Sequence, residues 1–210
     1  MGKMKNYFIL PFLVFVLSAC KADKTEVSLR HSDIVDVFQT GTQKSVEFEA
    51  SFSGIGEISD YQNELEELRD ITSRFLDIDI FEIEESDFGF EVTIEGLVPL
   101  TTNPNHQSPY IILIKESDLF PNHLNVSLAN GASFDSFSRA AERVNFLLSP
   151  DQFHPVRFKV SADDKAIVAG GVRTEGRSHG IFRGIVSGRQ SFSFSGGAYD
   201  EAGGEFHIEI

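Results

Sequence analysis

The sequence predicts an α+β fold: one or more antiparallel sheets, or an open barrel, with two amphipathic helices packed on it. Several segments alternate apolar and polar residues with the period of a β-strand, and two segments repeat apolar residues with the period of an α-helix. Twenty Phe residues and no Trp provide large apolar side chains for a core. Cys20 is the only cysteine, so stability must come from packing and not from disulfides.

The first elements are a short strand at 27–30 and a helix of one or two turns at 33–39, with Ser32 as its N-cap. A strand follows at 46–53, in which apolar residues alternate with Glu and Ser. One face of this strand is therefore expected to lie against the core and the other against water.

The clearest helix spans 60–76. Ser59 and Gln62 predict a capping box at its start. One apolar stripe runs along it, formed by Tyr61, Leu65, Leu68, Ile71 and Phe75. Its outer face is acidic.

Residues 77–95 predict a β-hairpin whose outer face carries carboxylates. Apolar and acidic residues alternate on both strands, and the turn falls at 85–87. The alternation changes phase at Phe81, which predicts a β-bulge there. The predicted acidic face consists of Asp77, Asp79, Glu82, Glu84, Glu91 and Glu95.

The apolar run at 110–114 predicts a central strand covered on both faces, and an edge strand is expected at 123–128. A second helix spans 134–148. The remaining segments are predicted to be β: a hairpin turning on Asp163 and Asp164, followed by strands at 181–186, 190–195 and 205–210.

Residues 27–210 are predicted to form a single α+β domain. Each longer helix is followed by four or five strands, so two subdomains at 27–128 and 129–210 are the alternative. No residue-level repeat supports that alternative.

The N-terminal residues predict a secretory signal peptide at 1–19. Lys3 and Lys5 give a positive start, 7–17 form an apolar core, and small residues precede the expected cleavage point. The uncharged stretch ends at Lys21 and is shorter than the roughly 20 apolar residues that a spanning helix needs.

Leu17, Ser18, Ala19 and Cys20 resemble the lipobox of bacterial lipoproteins. The resemblance implies that a diacylglycerol is attached to the Cys20 thiol, that the chain is cut before Cys20 and that the new amine is acylated. Two or three acyl chains make membrane anchoring stable, whereas one chain binds only marginally. We expect residues 20–26 to be a lipidated tether.

The same resemblance implies a location. In Gram-negative bacteria, Asp after the lipidated Cys favours retention in the inner membrane, so Lys21 points to the outer membrane. We therefore expect a lipid-anchored protein of the bacterial cell envelope, on the periplasmic face. The tether is short, so the folded part must work close to the bilayer.

The charge of the chain is concentrated in one region. The net charge is −14, and residues 57–95 hold fourteen acids against two Arg, a local charge of −12. Nucleic acid is disfavoured as a partner, because binding it needs a basic footprint. A cationic partner or divalent ions remain open.

Arg173, Arg177, Arg183 and Arg189 form a Gly-rich segment with a net charge of +3, since Glu175 is the only acid among them. Basic residues close to an anionic bilayer are attracted to it. We expect this basic loop to face the membrane or a partner.

The motifs for chemistry are weak. Gly176–Gly180 fits G-x-S-x-G, with Asp200 and His207 downstream, but the residues after Gly180 predict a strand and not the helix that a nucleophile elbow needs. The six His residues are scattered, and neither a zinc spacing nor a nucleotide-binding glycine loop occurs. We expect no catalytic residue, no metal and no cofactor.

The favoured function is therefore a non-enzymatic interaction module of the scaffold, exclusion or immunity type, which binds another envelope protein. The concentrated acidic region suits a cationic partner. An envelope-associated hydrolase without a recognisable motif is the alternative.

Overall fold

The structure is a computed structural model that describes residues 23–87, 89–145, 155–170, 172–174, 177–179, 182–195 and 203–210. Its helices are α1 His31–Thr40, α2 Ile58–Phe75 and α3 Phe134–Val144. Its strands are β1 Lys24–Arg30, β2 Lys44–Ile55, β3 Asp77–Ser86, β4 Gly89–Thr101, β5 Tyr110–Glu116, β6 His123–Asn130, β7 Val156–Ala169, β8 Val172–Thr174, β9 Arg177–His179, β10 Phe182–Phe194 and β11 Glu205–Glu209. The predicted signal peptide and lipobox lie outside the described residues.

Seven strands close into a barrel in the order β1-β2-β4-β5-β6-β11-β7, because β7 pairs with β1. The expected α+β fold is present, with strands as the main element, but the predicted open arrangement is wrong. Two pairings, β1 with β7 and β4 with β5, are parallel. Sequence patterns describe one strand at a time, whereas closure depends on pairing between distant segments.

β7 belongs to two parts of the sheet. One edge of β7 pairs with β10 along its whole length. The other edge pairs first with β1 and, further along the strand, with β11. Between these pairings Asp163 and Asp164 of β7 oppose the single residue Ser187 of β10, which is a β-bulge in β7, and Asp164 has a φ of 51°. The predicted hairpin turn at Asp163 and Asp164 is therefore wrong: the chain bends there within one continuous strand.

Three further expectations concern strand positions. β6 lies between β5 and β11, so it is an interior strand and not the predicted edge. The strands predicted at 181–186 and 190–195 are one strand, β10, which continues past the bulge in β7. Residues 110–114 are covered on both faces as predicted, since Ile111 and Ile112 are completely buried.

The three predicted helices are all present among the described residues, and the short one expected at 33–39 is longer than predicted, spanning His31–Thr40. α1 begins at His31 and α2 at Ile58, and neither has a side-chain cap, so the predicted N-cap Ser32 and the capping box at Ser59 and Gln62 are wrong. The predicted apolar stripe of α2 is confirmed by its buried residues Leu65, Leu68 and Ile71. Among the described residues, no helix combines the length and apolar character needed to cross a membrane.

The helices cover different parts of the sheet. α1 contacts β1 and β7 as well as β4 and β5, which lie across the ring, so it covers one end of the barrel. α2 packs on the extension formed by β2, β3 and β4, where Leu65, Phe90 and Val92 form a second, smaller core. α3 packs against α2, with the Phe75 and Phe137 rings 5.6 Å apart.

The barrel core depends on large side chains from several strands. Phe158 of β7 is completely buried, and its ring lies 5.2 Å from that of Phe206 and 6.0 Å from that of Phe194. These edge-to-face contacts connect β7, β10 and β11.

Phe158→Ala should lower the free energy of unfolding by about 3–5 kcal/mol, because it leaves a cavity in the barrel. Phe182→Ala is the matched control: Phe182 is 37% exposed, and its loss should cost about 1 kcal/mol. Urea denaturation of the two variants measures the difference. Equal destabilisation would contradict the packing described here.

Candidate binding face on the sheet

β10, β7, β1, β2, β4 and β3 pair side by side in this order. Residues directly opposite each other on paired strands point to the same face, and alternate residues point to opposite faces. The inner residues of these strands, such as Val27, Phe48 and Phe158, lie in the barrel core. We call the outer surface of these six strands the polar face.

Carboxylates lie next to carboxylates on this face. Glu26 of β1 is directly opposite Glu49 of β2, and Glu49 is directly opposite Glu95 of β4. Nearby, Glu84 of β3 is opposite Glu91 of β4. Like charges at directly opposite positions destabilise a sheet. The strand register therefore concentrates negative charge at a cost in stability.

Cations compensate the carboxylates nearest to β1. Lys24 Nζ lies 2.6 Å from Glu49 Oε1, and this hydrogen bond raises the pKa of Lys24. Glu26, whose side chain is only 7% exposed, forms ion pairs with Lys159 and with Arg157, the latter at 3.7 Å. A buried carboxylate needs such partners to remain charged without a large penalty.

Beyond these pairs, the polar face is divided by charge. Its basic half lies on β1, β7 and β10 and contains Lys24, Arg30, Arg157, Lys159 and Arg189. Its acidic half lies on β2, β3 and β4 and contains Glu47, Glu49, Asp77, Asp79, Glu82, Glu84, Glu91 and Glu95. Within the described residues, only Glu49 of the acidic half has an ion pair.

A cleft of about 280 Å³ opens at the boundary between the halves. Its charged lining consists of Glu26, Glu47, Glu49, Asp79, Glu95 and Lys159. Gly96 shapes it, because a Cβ at this position would lie 2.2 Å from the backbone oxygen of Asp77. The glycine lets the first residues of β3 cross close to β4.

The structure brings the six predicted acidic residues onto one surface, the acidic half. The β-bulge lies between Ile78 and Ile80 and not at the predicted Phe81. Because of this bulge, Phe81 and Ile83 face α2 while Ile80 is exposed. The sequence indicated Glu47 and Glu49 through their alternation, but Glu26, Arg157 and Lys159 join the site only through the β1–β7 pairing.

The four predicted basic residues do not form one loop. Arg173 lies in β8 and Arg177 in β9, the two strands of a short hairpin. Arg189 lies on the polar face, opposite Ser161. Arg183 lies further along β10, where its guanidinium is 5.6 Å from the centre of the Phe120 ring.

The G-x-S-x-G match does not form a nucleophile elbow. Ser178 lies within β9, which pairs with β8 in a hairpin, and not at a turn from a strand into a helix. Asp200 lies outside the described residues. His207 is completely buried in β11, where its Nδ1 lies beside Ser117 Oγ.

His207 belongs to a buried polar cluster that no sequence signal indicated. Its Nδ1 lies 3.0 Å from Ser117 Oγ, and its Nε2 lies 3.4 Å from Glu205 Oε1. The Ser117 oxygen also accepts hydrogen bonds from the backbone N–H groups of Leu119 and Phe120, at 3.2 and 2.9 Å. With its lone pairs occupied, this hydroxyl stabilises the β5–β6 loop and is not placed as a nucleophile.

Burial by itself raises the pKa of Glu205, but the adjacent His207 side chain and the hydrogen bond that Asn125 donates to Oε2 at 2.8 Å outweigh it and hold the pKa below its usual value. A lowered carboxyl pKa in the folded state means that the charged form stabilises the fold. That stabilisation is present above the ordinary pKa of Glu and is lost as the pH falls through the lowered value.

Glu205→Gln should therefore lower the free energy of unfolding by about 1–3 kcal/mol at neutral pH. The difference from wild type should shrink as the pH is lowered below about 4.3, because the unfolded-state carboxyl then also takes up its proton. Denaturation curves at several pH values measure this, with the exposed Glu116→Gln as control. A difference that does not change with pH would contradict the charged state of Glu205.

These features define a class of protein: a mostly β domain with a closed barrel, three described helices and a charge-divided outer sheet face. Comparison with protein-family models, curated proteins and solved structures gives no match for this chain. Within the described residues, no group of three or more His, Cys, Asp or Glu side chains is arranged to hold a metal ion.

Proposed function

We propose that this protein is a lipid-anchored protein of the bacterial cell envelope whose folded domain is a non-enzymatic binding module. The acidic half of the polar face is its binding surface, and a cationic region of another envelope protein is its partner. One observation carries the proposal: carboxylates occupy directly opposite positions on neighbouring strands of the acidic half, as Glu84 of β3 does opposite Glu91 of β4, and neither has an ion pair among the described residues.

Such an arrangement costs stability, because like charges on adjacent strands repel. Local rules of this kind are broken mainly at functional sites, where a gain in function compensates for the loss. The acidic half is also wide, since it covers three strands. A surface with one sign of charge attracts a partner of opposite sign and fixes its orientation.

The lipid anchor is supported by the sequence Leu17-Ser18-Ala19-Cys20 and by the position of the first strand. β1 begins at Lys24, three residues before the predicted start, so Lys24, Thr25 and Glu26 belong to the sheet and not to a tether. The tether is therefore shorter than the expected 20–26. The short tether would hold the domain close to the membrane surface, on the periplasmic side. The outer membrane is the favoured location because Lys21, and not Asp, follows Cys20.

The role of the acidic half can be tested with the triple variant Glu82→Gln, Glu84→Gln and Glu91→Gln. These side chains are exposed, so the fold should be retained while the acidic half loses three charges. In a pull-down from envelope extract, the variant should lose a partner that wild type retains, and raising the salt concentration should weaken wild-type binding.

The matched control is Glu66→Gln, Glu67→Gln and Asp70→Asn. It removes the same charge from the exposed side of α2, away from the polar face. It should retain the partner. If both triple variants lose the partner equally, net charge and not the acidic half determines binding, and the proposed site is wrong.

The anchor is tested separately with Cys20→Ser. This variant should lose membrane association on fractionation and should not incorporate labelled palmitate, because it lacks the thiol that receives the lipid. Wild type should be labelled and membrane-bound. An unlabelled wild-type protein in the soluble periplasm would contradict the anchor.

A further inference from the structure

We infer that one defined end of the domain contacts the bilayer when the protein is anchored, with Ile55 as the side chain that enters the lipid interface. The contact patch consists of the β2–α2 turn, Ile55 and Gly56, together with Tyr61 from the first turn of α2. This inference rests on the proposed lipid anchor and adds to it the orientation of the domain on the membrane.

The short tether restricts which end can face the bilayer. Four residue steps separate Cys20 from Lys24, where β1 begins, so the lipidated residue lies at most about 14 Å from the start of the sheet. The direction of the chain is also set. Asp23 donates its backbone N–H to Ser51 O at 2.8 Å, and its carboxylate accepts a hydrogen bond from Ser53 Oγ at 2.7 Å. Asp23, the residue before β1, therefore lies beside β2 on the side of the β2–α2 turn, and the chain enters β1 from that end.

Ile55 lies at the level that the tether reaches. Lys24 is directly opposite Ser51, and β2 continues from there to Ile55, its last residue. At about 3.3 Å per residue, Ile55 is roughly 13 Å beyond the start of β1. This distance matches the maximum reach of the tether, so a lipid at Cys20 brings the Ile55 end to the membrane surface.

The chemistry of this end suits a lipid interface. Ile55 is 69% exposed, the largest exposure among the large apolar side chains of the described residues. Gly56 has a φ of 112°, and the Tyr61 ring packs beside it, 3.2 Å from where a Cβ would lie. Tyr is enriched at membrane interfaces because its ring is apolar and its hydroxyl is polar. Ile55 thus supplies an exposed apolar side chain, and Tyr61 an amphipathic one beside Gly56, at the same end of the sheet.

Nearby acids limit the contact to the interface. Glu57 lies next to this patch, and Glu84 and Glu85 lie near the tip of the β3–β4 hairpin at the same end. Carboxylates are repelled by anionic lipid and are costly to desolvate. The patch should therefore bind zwitterionic bilayers more closely than anionic ones.

Arg183, one of the predicted membrane-facing basic residues, lies far from the tether. Arg157 is opposite Glu26, near the start of β1, whereas Arg183 is opposite Val168 near the far end of β7. The stretch of β7 from Arg157 to Val168 has a contour of roughly 36 Å. Arg183 thus lies well beyond the reach of the tether.

Single tryptophans can test this orientation, because the chain contains no Trp. The mature chain carrying Ile55→Trp is coupled through its Cys20 thiol to a maleimide lipid in zwitterionic vesicles that contain brominated lipid. Ile185→Trp is the matched control. Ile185 is 63% exposed and lies on β10 two residues from Arg183, at the end of the sheet far from the start of β1. Circular dichroism checks that both variants are folded.

The Ile55→Trp variant should lose at least half of its tryptophan emission to bromine quenching, and its emission should shift to the blue. The emission of the Ile185→Trp variant should be unaffected. Anionic vesicles should reduce the effect in the Ile55→Trp variant. Quenching in the Ile185→Trp variant alone, in both variants or in neither would overturn the inferred orientation. The coupling chemistry makes this result independent of natural lipidation, which palmitate labelling of the wild type decides on its own.

Discussion

The structure depends on the parallel pairing of β1 with β7. This pairing closes the ring of seven strands, so the inner residues of both strands, among them Val27 and Phe158, are buried from all sides. The same register places Arg157 directly opposite Glu26 and brings Lys159 to its carboxylate. A buried carboxylate can stay charged there because the barrel brings its partners from a distant part of the chain. The pairing of β1 with β7 therefore both closes the core and assembles the polar face.

The polar face shows how packing and charge are separated in this domain. Strand alternation sends apolar side chains inward and charged side chains outward, so the acidic half can collect carboxylates without placing them in the core. Repulsion within the acidic half remains, since its residues on β3 and β4 lack ion pairs among the described residues. The core and the pairs near β1 supply the stability that offsets this repulsion. β1 of the same sheet begins at Lys24, four residues after the proposed lipid-bearing Cys20.

Several elements could be predicted because their signals are local. The buried run at 110–114, the apolar stripe of α2 and the acidic hairpin of β3 and β4 each follow from the spacing of side chains in one segment. The errors share a different cause. The bend at Asp164 resembles a hairpin turn in sequence, and only the pairing of β10 along the whole of β7 shows that the strand continues. The helix starts were misplaced because no side-chain cap marks them.

The sequence by itself determined the strand and helix periods, the concentration of acids at 57–95 and the lipobox pattern that ends at Cys20. These are properties of neighbouring residues, and they need no knowledge of the fold. Only the tertiary structure decided that the sheet closes, that Glu26 lies buried between Arg157 and Lys159, and that His207 contacts Ser117. Each of these depends on which strands pair and in which register, and pairing between distant segments is set by the burial of the whole core and not by local spacing.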